Sequence, residues 1–371
     1  MKYYIIAGEA SGDLHASNLM KQLKLLDNKA DFRCWGGDLM KEQGAVLVKH
    51  YRDLAFMGFT EILFNIKTIL RNFKFCKSDI LQYKPDALIL VDYPGFNMKI
   101  AGFAKETGIK VFYYISPQVW AWKQGRVKKI KKTVDKMFVI LPFEKEFYKR
   151  FDFEVDFVGH PLIDAINDPL YKSNIASFRN TESISDKPVI AILPGSRKQE
   201  IAKMLPIMLT VIKKFPEFEF VVAAVTSLPK EFYENICEGY NVKIVYGKTY
   251  LLLSNAKASI VTSGTATLET ALFSVPEVVC YKGSSLSFML AKKLVKVNFI
   301  SLVNLIMEKE VVKELIQKDF NSNNLSSELS RILIEDNSVG MKQQFSELKK
   351  KLGGAGASAK TAELIIENLR K

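Results

Sequence analysis

Asp92 closes the apolar run Ala87-Leu88-Ile89-Leu90-Val91 and stands just before Tyr93-Pro94-Gly95-Phe96-Asn97. In open parallel sheets the carboxyl ends of the strands face the ligand crevice. A carboxylate placed there, beside a Pro-Gly turn, can act as a general base toward a hydroxyl; a helix N-cap or turn aspartate fits the same position equally well. Arg197 follows Pro194-Gly195-Ser196 at the end of a second apolar run, Val189-Ile190-Ala191-Ile192-Leu193. Its planar guanidinium suits phosphate oxygens, the plain alternative being a surface arginine on a βα loop. A third turn, Ser263-Gly264-Thr265-Ala266-Thr267-Leu268-Glu269, follows Ala258-Ser259-Ile260-Val261. Gly264 lets the backbone approach a ligand, and the hydroxyls and N–H groups there can hold a diphosphate. Glu269 lies four residues beyond Thr265, on the same helix face. It can accept hydrogen bonds from a ribose, or simply top an exposed face.

Strands must deliver these groups, and the chain builds such a delivery once in each half. Tyr3-Tyr4-Ile5-Ile6-Ala7 runs into Gly8-Glu9-Ala10-Ser11-Gly12-Asp13 and then a helix carrying Leu14, Leu19, Leu23 and Leu26. The run 189–193 and its Gly195 turn repeat the pattern. Strand-like and helix-like stretches alternate in both halves, which predicts βαβ units and parallel sheets. Strands are expected near 3–7, 31–35, 86–91, 110–115 and 137–141, then near 189–193, 218–224, 242–245, 258–261 and 277–281. A long helix is expected over 56–82, a boundary between His160-Pro161 and Pro188, and a short final helix capped by Ser358. At 371 residues the chain suits two α/β domains rather than one core.

Hydrophobic residues at 48% and charged residues at 25% are ordinary for a globular protein. Cys34, Cys76, Cys237 and Cys280 are isolated, and His15, His50 and His160 are scattered. That pattern speaks for reduced thiols and against disulfides or a metal site. The first apolar run is too short for an export signal. The most apolar long stretch, 54–75, is interrupted by Glu61, Lys67 and Arg71, which argues against a membrane span. A cytoplasmic protein without cofactor or metal is the expectation.

The net charge of +13 is concentrated: over residues 123–150, ten lysines and arginines stand against three acids. Such a region is a footprint for phosphate-bearing partners. Upstream, Phe59, Ile62, Leu63, Ile66, Ile69, Leu70 and Phe73 surround much of a helix, a stripe wider than core packing needs. Lys67, Arg71, Lys74 and Lys77 lie along or beyond it, as in interfacial helices. Trp120-Ala121-Trp122, leading into the basic region, adds amphipathic rings. Phe59, Ile62, Leu63, Ile66, Leu70, Trp120 and Trp122 are therefore expected to dock on a membrane surface.

These motifs, in this order, resemble the lipid-A-disaccharide synthase family. The matching residues are Gly8-Glu9-Ala10-Ser11-Gly12-Asp13, Met57-Gly58, Val91-Asp92-Tyr93-Pro94-Gly95-Phe96-Asn97 and Ser116-Pro117-Gln118-Val119-Trp120-Ala121-Trp122. They continue through Leu141-Pro142-Phe143-Glu144, Gly159-His160-Pro161, Leu193-Pro194-Gly195-Ser196-Arg197, Ser263-Gly264-Thr265 with Glu269, and Ser301-Leu302-Val303-Asn304-Leu305. The resemblance implies a GT-B fold, two Rossmann-like domains facing a cleft. Residues 1–165 would form the acceptor and membrane-docking domain, 166–341 the UDP-sugar domain, and the C-terminal segment 342–371 would cross back onto the first. It implies an inverting transfer joining UDP-2,3-diacylglucosamine to 2,3-diacylglucosamine 1-phosphate (lipid X) through a β(1→6) bond, releasing UDP. The setting it implies is the anionic cytoplasmic face of the inner membrane, held peripherally; an oligomer is compatible with it. Asp92 takes the place of the family's base, Arg197 of its essential arginine, and Glu9 of its first-loop acid. Ser11, Gly12, Asn97, Gly195, Ser196, Ser263, Gly264, Thr265, Glu269 and Asn304 are then expected to bind substrate. Some family members carry a second acid where this chain has Gly95.

Two other readings compete. Another GT-B transferase using UDP-GlcNAc, or a UDP-GlcNAc 2-epimerase, would share the architecture, but an epimerase has no use for a wide apolar helix beside a basic, Trp-rich segment. A nucleic-acid-binding protein would use the basic region, yet the chain lacks interleaved stacking aromatics and the strand-end turns would have no purpose. No nucleic-acid partner is expected.

Overall fold

Short apolar runs between polar turns form two all-parallel sheets in the computed structural model, which describes residues 1–54, 66–122, 124–166, 175–283 and 298–371. The chain divides into two units, Met1–Ala165 with Leu352–Lys371, and Ile166–Lys351.

The sheet of the first unit comprises β1 (Lys2–Ala7), β2 (Asp31–Gly36), β3 (Val46–His50), β4 (Ala87–Val91), β5 (Lys110–Tyr114), β6 (Lys136–Val139) and β7 (Asp156–Phe157). Their order is β3-β2-β1-β4-β5-β6-β7. The second unit holds β8 (Val189–Leu193), β9 (Glu219–Ala224), β10 (Lys243–Tyr246), β11 (Ala256–Thr262), β12 (Glu277–Tyr281) and β13 (Lys313–Ile316), ordered β10-β9-β8-β11-β12-β13. Each sheet reverses its direction of growth once, between β1 and β4 in the first and between β8 and β11 in the second. In register, Ala7 lies opposite Val91, and Leu193 opposite Val261. At such switch points the loops leaving neighbouring strands part and open a crevice. The peripheral strands β3, β7 and β13 go beyond the sequence expectation. They are short or half-buried, so their apolar signal is weak.

The helices used below are α1 (Ala10–Leu26), α2 (Asp38–Glu42), α3 (Ile66–Tyr83), α4 (Pro94–Glu106), α5 (Lys198–Leu209), α6 (Thr265–Leu272), α7 (Leu302–Met307), α8 (Glu335–Lys351) and α9 (Ala357–Arg370). No described helix is long and apolar enough to cross a membrane.

The last helix, α9, belongs to the first unit: Ala362, Ile365 and Ile366 join the cluster of Tyr3, Ile5, Leu19 and Leu23. The segment that returns starts at Leu352 rather than 342. Residues up to Lys351 stay with the second unit, where Met341, Phe345 and Leu348 of α8 are buried. Nor does Ser358 cap the final helix. Asp164 does so from another element, its Oδ1 accepting the Gly356 N–H at 2.6 Å and its Oδ2 the Ser358 N–H at 2.9 Å. A full negative charge at a helix N-terminus outdoes a hydroxyl there.

Candidate active site

The switch point of the first sheet brings together the loops after β1 and β4. Asp92 leaves β4 with left-handed backbone (φ 46°), and Tyr93 follows in the same region (φ 49°). Neither is glycine, and each such residue costs on the order of 1–3 kcal/mol. A residue before proline also prefers extended backbone, so Pro94 makes the turn dearer still. Hydrogen bonds oppose that cost. The Asp92 N–H donates to the Tyr114 carbonyl at 3.1 Å. Its carbonyl accepts from the Tyr113 hydroxyl at 2.6 Å and from Asn97 Nδ2 at 2.7 Å.

The Asp92 carboxyl is half-buried. Burial, reinforced by the charge of Glu9, pushes its pKa from 3.8 up to about 6, and the Tyr93 N–H draws it partly back. Such a group is ionised at neutral pH yet more basic than an ordinary carboxylate, which is what a general base requires. Glu9 is half-buried at the N-cap of α1, and Ser11 is exposed in the first turn. Gly12 packs the helix tightly on β1, since a Cβ there would lie 3.2 Å from that of Ala7. Asp13 is buried instead, accepting N–H groups of Gly37, Leu39 and Met40 at the start of α2.

At the switch point of the second sheet, Gly195 takes left-handed backbone (φ 107°) and Arg197 becomes the N-cap residue of α5, its side chain exposed. Glu200 folds back over this turn, accepting from the N–H groups of Ser196 and Arg197 beside the Arg197 charge, while burial raises its pKa. A Cβ on Gly195 would meet Glu200 Oε2 at 2.3 Å and force that side chain off the turn, and the left-handed backbone itself favours glycine. Sequence reading passed over Glu200, although a glutamate three residues past an N-cap is a capping signal. On the neighbouring strand, Gly264 caps α6 with Thr265 exposed at its first position. Glu269 is half-buried; its Oε1 accepts the Tyr250 hydroxyl at 2.9 Å, and burial raises its pKa.

Several expected ligand contacts are instead internal. Asn97 is fully buried beneath the Asp92 turn, its Nδ2 donating to the Asp92 carbonyl. Asn304 is also fully buried. Its Nδ2 donates to the Val312 carbonyl (2.8 Å) and to Glu314 (2.9 Å), and its Oδ1 accepts from Val311 (2.7 Å) and Val312 (3.0 Å). With every bonding position taken, Asn304 joins α7 to β13. The Ser263 hydroxyl donates to the Ile300 carbonyl at 3.0 Å.

Trp120 is 9% exposed, edge-on to Phe143 at 4.9 Å, and so lies in the core rather than on a membrane. Leu70, at 58% exposed, does face outward from α3, as does Phe75. Phe59, Ile62 and Leu63 lie outside the described residues, as do the side chains of Ile66 and Trp122.

The model of lipid-A-disaccharide synthetases matches residues 3–368. The chain belongs to that family. It is 37% identical to the lipid-A-disaccharide synthase of Trichlorobacter lovleyi, covering 98% of this chain and 96% of that protein. It is 38% identical to that of Geobacter sulfurreducens, covering 99% and 97%. A crystal structure of the Neisseria meningitidis UDP-GlcNAc 2-epimerase bound to UDP-GlcNAc superposes with a TM-score of 0.69 over 100% of both chains at 14% identity. Likeness at that identity carries the fold alone, here GT-B, so the epimerase reading yields to the synthase one. This family member is a glycosyltransferase of lipid A disaccharide synthesis.

Proposed function

We propose that the protein transfers the diacylglucosaminyl group of UDP-2,3-diacylglucosamine to the 6-hydroxyl of 2,3-diacylglucosamine 1-phosphate, with inversion at the anomeric carbon and release of UDP. The carrying observation is the half-buried Asp92 carboxyl at a sheet switch point, its pKa lifted to about 6 by burial and Glu9. Asp92 takes the proton of the acceptor hydroxyl as that oxygen attacks the anomeric carbon, and the bond to the diphosphate breaks on the opposite face. Glu9 keeps Asp92 basic and orients the acceptor. Charge on the departing UDP falls to Arg197 and to backbone N–H groups at the starts of α5 and α6. Glu269 accepts from the ribose.

The acyl chains of both substrates place the reaction at a membrane surface. Exposed Leu70 and Phe75 on α3 support peripheral docking. So does an open groove of about 660 Å³ lined by Lys77, Lys99, Lys105, Lys129 and Lys132 around Phe103. Incubation with both substrates should yield a disaccharide 1-phosphate detectable by mass spectrometry. If UDP is released without disaccharide, the acceptor assignment fails.

A further inference from the structure

The Asp92 turn has a partner outside its own strand. The Tyr93 ring lies on Gly8, close enough that a Cβ on that glycine would sit 2.2 Å from Cγ and 2.4 and 2.5 Å from the two Cδ atoms. Those atoms are near the root of the side chain, so the ring cannot swing aside without moving the Tyr93 backbone. The ring also stacks on Phe96 (centroids 5.7 Å), which stacks in turn on Phe73 (4.4 Å) and Trp35 (5.3 Å). Hydrogen bonds brace the turn from within, the Tyr93 N–H donating to the Asp92 carboxyl and the Tyr93 carbonyl accepting the Asn97 N–H at 3.0 Å, and the ring adds a hold from the loop after β1. We propose that Gly8 and Tyr93 form a positioning pair: the ring, packed against both Gly8 and the Phe96 column, helps hold the double left-handed turn that aims the Asp92 carboxyl. The proposal rests on Asp92 being the base. Gly8 then belongs to its loop because a side chain there would evict the ring.

The clamp also limits water at Asp92. The titratable groups facing that carboxyl are Glu9 at the start of α1, Tyr93 on its own turn and Tyr113 from β5. Loss of the ring should therefore move the acid limb of the rate profile down toward the ordinary carboxylate range, which a merely structural loss would not do.

The test is a double-mutant cycle on disaccharide formation, with Asp92→Asn measured alongside. Tyr93→Ala, which removes the ring but keeps the backbone cost of positive φ, and Gly8→Ala should each lower kcat by about ten- to hundred-fold, with KM changed much less and the acid limb displaced to lower pH. In the Tyr93→Ala background, Gly8→Ala should cost little more, because no ring remains to be evicted. Tyr93→Phe, which keeps the ring, should recover most of what Tyr93→Ala loses. Equal cost of Gly8→Ala in both backgrounds overturns the proposal, since the methyl would then obstruct something other than the ring. So does an unmoved acid limb in Tyr93→Ala. Should Gly8→Ala fail to fold, the Tyr93→Ala and Tyr93→Phe profiles decide alone. Near-normal turnover of Asp92→Asn would overturn the base assignment itself, an outcome separate from any result of the cycle.

Discussion

Asp92→Asn should stabilise the protein while disabling it. The pKa of Asp92 is raised in the folded chain, from 3.8 to about 6. The stability this group contributes is therefore fully present below pH 3.8, where it is protonated in both states, and is lost as pH rises through 6. Ionised Asp92 thus weighs against folding at neutral pH. At about 1.36 kcal/mol per pH unit the displacement corresponds to at most roughly 3 kcal/mol, and to about 1–2 kcal/mol once partial solvent screening is allowed for. Asparagine removes the charge and keeps the shape, so the gain should appear at pH 8 and shrink toward zero at pH 4. Urea unfolding followed by tryptophan fluorescence reads the relevant unit, because Trp35, Trp120 and Trp122 all lie in the first one. Turnover of the variant should fall by about 10² or more with UDP affinity unchanged. A variant no more stable than the parent at pH 8 refutes the electrostatic argument; one with near-normal turnover refutes the base.

Arg197→Ala and Glu269→Ala should each weaken UDP binding in calorimetry by roughly 1.5–3 kcal/mol; parent-like binding by both would place the nucleotide elsewhere. Asn304→Ala leaves four internal hydrogen bonds unmade, so thermal unfolding should show a loss of about 2–4 kcal/mol, with UDP affinity unchanged wherever the protein is folded. Weaker UDP binding at full stability would return Asn304 to the ligand site. Leu70→Ser should lower co-sedimentation with anionic vesicles while leaving circular dichroism unchanged, because Leu70 is 58% exposed. Undiminished vesicle binding would remove this face of α3 from the docking surface.

The sequence shows where strands end more clearly than which polar groups meet a ligand. Ala87–Val91 and Val189–Leu193 are apolar without interruption because both faces of a parallel strand are buried. Their ends are therefore sharp, and Asp92 and Arg197 stand out at once. Three parallel strands escaped notice for the converse reason. Val46–His50 is nowhere fully buried, and Asp156–Phe157 spans only two residues.

Asn97, in the Pro-Gly turn after β4, and Asn304, in a run that matches the family, read as ligand contacts because a polar residue inside such a motif suggests a site. Asn97 Nδ2 instead donates to the Asp92 carbonyl, and the Asn304 amide bonds Val311, Val312 and Glu314; nothing local distinguishes the two uses. Trp120 fails in the same way, for an indole beside lysines suits an interface, yet its packing partner Phe143 lies 23 residues on, within the basic region.

Partners at long range are the general obstacle. Asp164 caps a helix whose first bonded N–H is 192 residues later, and Gly8 owes its identity to a ring on another strand's turn. A single chain shows the constraint at each such position but not the residue that imposes it. The double left-handed turn at Asp92 and Tyr93 belongs to this class. It persists because Gly8 and Tyr113 arrive from two other strands' ends, and Asn97 from the helix that follows, to hold it. A turn that costs several kcal/mol and is secured from so many directions is best explained by the direction in which it aims its carboxylate.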